Sequence, residues 1–97
     1  MYFLVIETRP DPSGPDFGSV GGAFASCWAD TNDPDEAERR ARSLLEEYGW
    51  RAGMADERYP VERTRYEGNS KSLARFDQAI ADGVAITLHT WPVGAEH

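Results

Sequence analysis

Residues 33–50 most constrain the fold, because their signals for an α-helix agree from the first turn to the last. Asp33 is a candidate N-cap, and Pro34 stands at the first helical position, where a missing N–H costs little. Gly49 predicts a left-handed residue that ends the helix, with Trp50 packing back on the last turn. The segment therefore predicts one helix that begins after Asp33 and ends before Gly49.

This helix carries one apolar stripe and one charged face. The stripe follows helical spacing and comprises Ala37, Ala41, Leu44, Leu45 and Tyr48. Acid-before-base pairs four residues apart are expected at Asp35/Arg39, Glu36/Arg40 and Glu38/Arg42. Because capping and ion pairing account for these acids, we expect a solvated face and no metal site there.

Four further stretches read as strands and one as a second helix. The strands are Tyr2–Arg9, Ala23–Asp30, Trp50–Met54 with an uneven continuation toward Arg58, and Val84–Trp91. The second helix is expected over residues 71–82, capped by Ser70, with Leu73, Phe76, Ala79 and Ile80 as its buried stripe. Pro60 interrupts the region Tyr59–Tyr66, which is either an extension of the third strand or a separate short strand.

These elements predict an α+β fold: a four- or five-stranded, mainly antiparallel sheet with two helices on one face. A chain of 97 residues implies one domain. Residues 9–22 are expected to form a flexible loop rich in proline and glycine, and residues 93–97 a frayed tail.

If Tyr59–Tyr66 is a strand, residues 23–91 follow the order βαββαβ, which resembles the ferredoxin-like fold of split βαβ units. The last strand, Gly-Val-Ala-Ile-Thr-Leu-His-Thr-Trp at 83–91, is also similar to that of a group of small bacterial α+β proteins. Both resemblances imply an architecture and no activity, because many functions share such a fold.

The second strand separates small from large side chains. One parity holds Ala23, Ala25, Cys27 and Ala29, which would let a helix approach closely, while the other holds Phe24 and Trp28. With both helices on the alanine side, the large aromatics would lie on an opposite face that something else must cover.

The acidic balance limits the classes of partner. Ten basic and seventeen acidic residues give a net charge of −7, which argues against nucleic acid or an anionic membrane as partner. A single cysteine excludes an internal disulfide, and no apolar run approaches a membrane span, so the expected location is cytoplasmic. No sequence pattern indicates a cofactor or a metal.

Two groups of residues are candidates for chemistry or binding. With the terminal His97 set aside, Cys27 and His89 are the only possible thiol–imidazole pair, but Cys27 reads as a small buried side chain and His89 as a polar residue of a sheet face. The stronger candidate is an aromatic sheet face built from Phe24, Trp28, His89 and Trp91, with Tyr66. Aromatic residues of this kind are favoured at the centres of interfaces.

Three functions follow as hypotheses. The preferred one is a small non-enzymatic homodimer, a binding or regulatory module that uses this aromatic face as a subunit interface or as a small pocket. A second is an acidic inhibitor or immunity-type protein that captures a basic partner. A third is a small dimeric α/β enzyme that uses His89.

Overall fold

The computed structural model of the chain describes residues 1–15 and 17–94. Its strands are β1 (Tyr2–Pro10), β2 (Val20–Ala29), β3 (Trp50–Pro60) and β4 (Val84–Pro92). Its helices are α1 (Pro34–Glu47) and α2 (Ser70–Asp82), and a short 3-10 helix spans Arg63–Tyr66.

The four strands form one antiparallel sheet in the order β3-β1-β2-β4. Since β2 and β3 are both antiparallel to β1, which lies between them, β2, α1 and β3 make a split βαβ unit. Tyr59–Tyr66 is not a separate strand: β3 runs on to Pro60, and the 3-10 helix follows. The predicted order βαββαβ is therefore absent from residues 23–91, and the ferredoxin-like fold is not confirmed.

Helix α1 packs on one face of the sheet, which we call the first face. The alanine parity of β2 lines this face, and Ala23, Ala25, Cys27 and Ala29 are all fully buried in one cluster with residues of α1. The same cluster contains Ala37, Ala41 and Leu45 of α1 and Leu4 and Ile6 of β1. The prediction that small side chains let a helix approach this parity is confirmed.

Helix α2 packs on the opposite, second face, so the prediction of two helices on one face is wrong. Phe76 and Ala79 of α2 share a cluster with Trp28 and Ala85. Trp28 and Ala85 are register partners on β2 and β4, and both have the parity opposite to the α1 cluster. The physical reason is that Trp28 and its aromatic neighbours need cover of their own, and α2 supplies it at one end of the face.

The ends of α1 confirm its predicted capping. The Asp33 carboxylate accepts from the backbone N–H of Asp35 at 2.9 Å, and Gly49 has a left-handed φ of 82°. Of the apolar stripe, Ala37, Ala41 and Leu45 are buried, but Tyr48 is 55% exposed. The buried part of the stripe is shorter than predicted, because it ends at Leu45 in the last turn and Tyr48 is the C-cap residue beyond it.

The ion pairs on the charged face of α1 are partly as predicted. Glu36–Arg40 and Glu38–Arg42 form, at 3.1 and 2.9 Å. The expected Asp35–Arg39 pair is replaced: Arg39 pairs with Glu36, and Asp35 pairs with Arg58 of β3 at 3.0 Å. Strand β3 thus brings a cation that the spacing within the helix does not reveal.

The cap of α2 lies one residue earlier than predicted. Asn69, not Ser70, is the N-cap, and its side chain accepts from the backbone N–H of Ser72 at 3.1 Å. Phe76 and Ala79 are buried, whereas Ile80 is 53% exposed, because α2 covers only one end of the second face. Neither helix of the described chain is long and apolar enough to cross a membrane.

The proline- and glycine-rich loop is shorter than predicted, because residues 20–22 belong to β2. A Cβ at Gly22 would lie 2.4 Å from Cζ2 of Trp91, so only glycine lets this indole lie over the strand. The start of the loop is tied down, since the Asp11 backbone N–H donates to the Gly49 carbonyl at 2.8 Å. Val93 and Gly94 form a turn, and the rest of the predicted frayed tail lies outside the described residues.

The two candidate caps of α2 can be separated by mutation. Asn69→Ala removes the side-chain acceptor of the Ser72 N–H and should lower the free energy of unfolding by about 1 kcal/mol. Ser70→Ala, the matched control, should change it by less than about 0.5 kcal/mol. Urea unfolding measures both, and an equal loss in the two variants would contradict the assignment of Asn69.

Candidate functional site

The predicted site residues form two aromatic groups on the second face. Trp28 and Tyr66 lie at the end covered by α2, with ring centroids 6.1 Å apart. Phe24 and Trp91 lie at the other end, with centroids 5.3 Å apart. His89 is the register partner of Phe24 on β4 and is exposed. The five residues therefore share a face, but they do not form one continuous cluster.

The first group is larger than predicted, because strands β1 and β3 add rings to it. Phe3 lies 5.0 Å from Trp28 and 5.4 Å from Tyr59 between ring centroids. These neighbours follow from the register, since Phe3 pairs with Trp28 on one side and Tyr59 on the other. Edge-to-face contacts of this kind add to the stabilisation from burial alone.

Tyr66 reaches this group from the 3-10 helix and fixes the indole of Trp28. The Trp28 Nε1–H donates to the Tyr66 hydroxyl at 3.0 Å, which satisfies the polar atom of a side chain only 5% exposed. Partial burial raises the pKa of Tyr66, against the opposing effect of the hydrogen bond from Trp28. Trp28 is therefore held in one orientation by a bond as well as by packing.

The second group closes the far end of the face. Trp91 is 5% exposed, and the Arg9 guanidinium carbon lies 5.4 Å from the centroid of its ring. Arg9 is in turn held by its ion pair with Glu7 at 3.1 Å. Phe24 and Trp91 pack on each other within this chain, so their rings are core-like at that end.

A pocket of about 770 Å³ lies on the second face beside the Trp28–Tyr66 group. Ser26 of β2 and Thr87 of β4, which are register partners, contribute polar side chains between the two aromatic groups. The lining comprises Phe3, Ser26, Trp28, Tyr59, Arg65, Tyr66, Asn69, Lys71, Ser72, Ala74, Arg75, Thr87 and His89. It includes three of the five predicted site residues and excludes Phe24 and Trp91.

Sequence reasoning missed the cations of this pocket, Arg65, Lys71 and Arg75. A signal for them exists in the sequence: residues 63–75 hold four basic residues and one acid in a chain of net charge −7. The 3-10 helix and the first turns of α2 place that local excess beside the aromatic rings. The clustering depends on α2 lying over the second face, which the predicted arrangement of helices did not include.

Cys27 and His89 lie on opposite faces of the sheet and do not form a pair. Cys27 is fully buried under α1, and its Sγ contacts the Ala25 carbonyl oxygen at 3.6 Å. Burial raises the pKa of the Cys27 thiol to about 12, so the thiol stays protonated at neutral pH. The interpretation of Cys27 as a small core residue is supported.

Comparison of the chain with protein-family models, with curated proteins and with solved structures gives no match. The molecule is a small α+β protein with a four-stranded antiparallel sheet and two helices, and no family is identified. The similarity to small bacterial proteins drawn from the last strand is not confirmed.

The bond between Trp28 and Tyr66 can be tested by removing one oxygen. Tyr66→Phe leaves the indole N–H of Trp28 without its acceptor and should lower the free energy of unfolding by about 1–3 kcal/mol. Tyr59→Phe is the matched control, because the described residues offer its hydroxyl no hydrogen bond, and it should cost less than about 0.5 kcal/mol. Equal costs in urea unfolding would refute the structural role of the Tyr66 hydroxyl.

Proposed function

We propose that this protein is a small non-enzymatic binding module, and that it binds a small organic molecule in the pocket on the second face. The observation that carries the proposal is a pocket of about 770 Å³ whose floor is aromatic and whose rim is polar. That volume lies in the usual range for small-molecule sites, roughly 300–1,000 Å³. A few polar groups around apolar walls are the usual composition of such sites.

The floor of the pocket is preorganised for a flat apolar group. Trp28 is fixed by its bond to Tyr66 and by edge contact with Phe3 at 5.0 Å. Phe76 of α2 packs against Tyr66, with ring centroids 6.1 Å apart. Trp28 is itself nearly buried, so a ligand would meet the partly exposed rings of Phe3 and Tyr66 that pack on it. These rings are already ordered, which reduces the entropy lost on binding.

Polar groups around this floor are suited to orient a ligand. Ser26 and Thr87 present hydroxyls from adjacent strands, and a hydroxyl both donates and accepts. His89 stands on the exposed part of β4 at the same pocket. This arrangement favours recognition of a ligand with both an apolar and a polar end.

The two alternatives from the sequence gain less support. The α1 carboxylates proposed to capture a basic partner already pair with cations of the chain, as Asp35 and Glu38 do with Arg58 at 3.0 and 3.4 Å. An enzyme built on His89 would need a second group to work with it, and Cys27 lies on the other face. Neither observation favours these functions over ligand binding.

A homodimer remains a prediction, but the two indoles are no longer expected to form its interface. Trp28 and Trp91 are each 5% exposed within one chain, so neither indole has much surface left for a partner. A second copy would instead contact the exposed rim that includes His89. Sedimentation equilibrium at micromolar concentration should give twice the mass of the chain, and His89→Glu should shift it toward the monomer. A stable monomer of the unmodified chain would contradict the dimer.

Ligand binding can be tested by filling the pocket from α2. Ala74 lines the pocket and is exposed, while Ala81 is exposed on the same helix and does not line it. Ala74→Leu should weaken binding of aromatic fragments by about tenfold, which corresponds to about 1.4 kcal/mol, whereas Ala81→Leu should leave it unchanged.

The fragments are screened by amide chemical-shift changes, which should cluster at Ser26, Ala74 and Thr87. Both substitutions are alanine to leucine on an exposed helical surface, so they differ only in position. Shift changes scattered over the chain, or equal weakening by the two variants, would contradict the proposed site.

A further inference from the structure

The basic side chains divide into two sets: those that pair with a carboxylate, and those that line the pocket. Seven of the ten basic residues form an ion pair with a carboxylate of the described chain: Arg9, Arg39, Arg40, Arg42, Arg51, Arg58 and Arg63. The remaining three are Arg65, Lys71 and Arg75, and the described residues offer them no carboxylate partner. All three line the pocket on the second face.

This distribution runs against the charge of the chain. Acids outnumber bases by seven, yet the lining of the pocket contains no aspartate or glutamate among the described residues. Asp77 of α2, on the same helix as Arg75, is engaged elsewhere: it forms a two-bond pair with Arg63, at 3.1 Å for each bond. The pocket is therefore a local concentration of positive charge on an acidic protein.

Neutral groups hold two of these cations in place. Arg75 donates from Nε to the Thr87 hydroxyl at 3.1 Å and from Nη1 to the Gln78 side-chain oxygen at 2.8 Å. The Arg65 guanidinium carbon lies 5.0 Å from the centroid of the Tyr59 ring. Neither contact neutralises the charge, so both guanidinium groups stay fully positive beside the aromatic floor.

From these observations we propose that the ligand is an organic anion: a flat aromatic group that carries a carboxylate or a phosphate. The inference rests on the proposed binding function and adds the charge of the ligand. The aromatic part lies against the partly exposed rings of Phe3 and Tyr66. The anionic group accepts hydrogen bonds from Arg75 and Arg65, with Lys71 adding charge at the rim. Guanidinium groups suit such anions because their N–H donors match two oxygens at once.

The test compares an anion with its neutral counterpart of the same shape. The naphthoate anion and the neutral amide naphthamide are titrated separately into the full chain by calorimetry at low ionic strength. Naphthoate should bind about tenfold more tightly, because hydrogen bonds from charged donors to charged acceptors are stronger than those to a neutral amide. Added salt should reduce this preference, since the cations are partly exposed.

Substitutions then show which cations cause the preference for naphthoate over naphthamide. Arg75→Gln, Arg65→Gln and Lys71→Gln should each reduce the ratio of the two affinities while leaving naphthamide binding nearly unchanged. Arg63→Gln is the matched control: it lies on the same 3-10 helix as Arg65, but it pairs with Asp77 and does not line the pocket. Its ratio should equal that of the unmodified chain.

The outcomes separate the two proposals. Equal affinities for naphthoate and naphthamide would overturn the anionic ligand and leave the binding module intact. No binding of either compound would overturn the binding module, and the anionic ligand with it. A ratio that falls as much in Arg63→Gln as in Arg75→Gln would show that only the overall charge matters, which also overturns the proposed site.

Discussion

The division of β2 into a small and a large parity is the constraint on which the rest of the structure depends. Ala23, Ala25, Cys27 and Ala29 let α1 lie directly on the first face, where they are fully buried. The same alternation places Phe24 and Trp28 on the second face. There the large apolar indole of Trp28 must be covered by another element to be removed from solvent. The ten residues of β2 thus give the sheet one face of small side chains, which α1 covers, and one face of large aromatic side chains, which α2 covers in part.

The way in which Trp28 is covered creates the pocket proposed as a binding site. Helix α2 and the 3-10 helix cover only one end of the second face, and Trp91 with Phe24 closes the other. Between the two aromatic groups lies the pocket, whose aromatic rings come from the Trp28–Tyr66 group and to which Ser26 and Thr87 add polar side chains. The pocket therefore exists because α2 and the 3-10 helix cover only part of the second face. The hydrogen bond between Trp28 and Tyr66 holds one wall of the pocket in place.

Local signals in the sequence predicted the elements well and their arrangement less well. The capping of α1 by Asp33, the left-handed Gly49 and the alternation of β2 depend on near neighbours, and all are confirmed. The side of the sheet taken by α2 depends on which face needs cover, and periodicity within α2 does not encode it. The exposure of Tyr48 and Ile80 has the same origin, since an apolar residue on a stripe is buried only where its partner surface extends that far.

The charges of the candidate site were likewise harder to predict from local sequence than its aromatic residues. Aromatic residues of β2 and β4 were predictable as one face because strand parity alone groups them. Arg65, Lys71 and Arg75 become a group only when α2 folds over that face, and they are distinctive only because the other arginines find carboxylates. The net charge of −7 argued against nucleic acid and an anionic membrane as partners, whereas the pairing of individual charges in the described residues leaves a positive region at the pocket. Net charge limits binding to long polyanions, which sample the whole surface, but a small anion responds to the few unpaired cations within about one Debye length, ~8–10 Å at moderate salt.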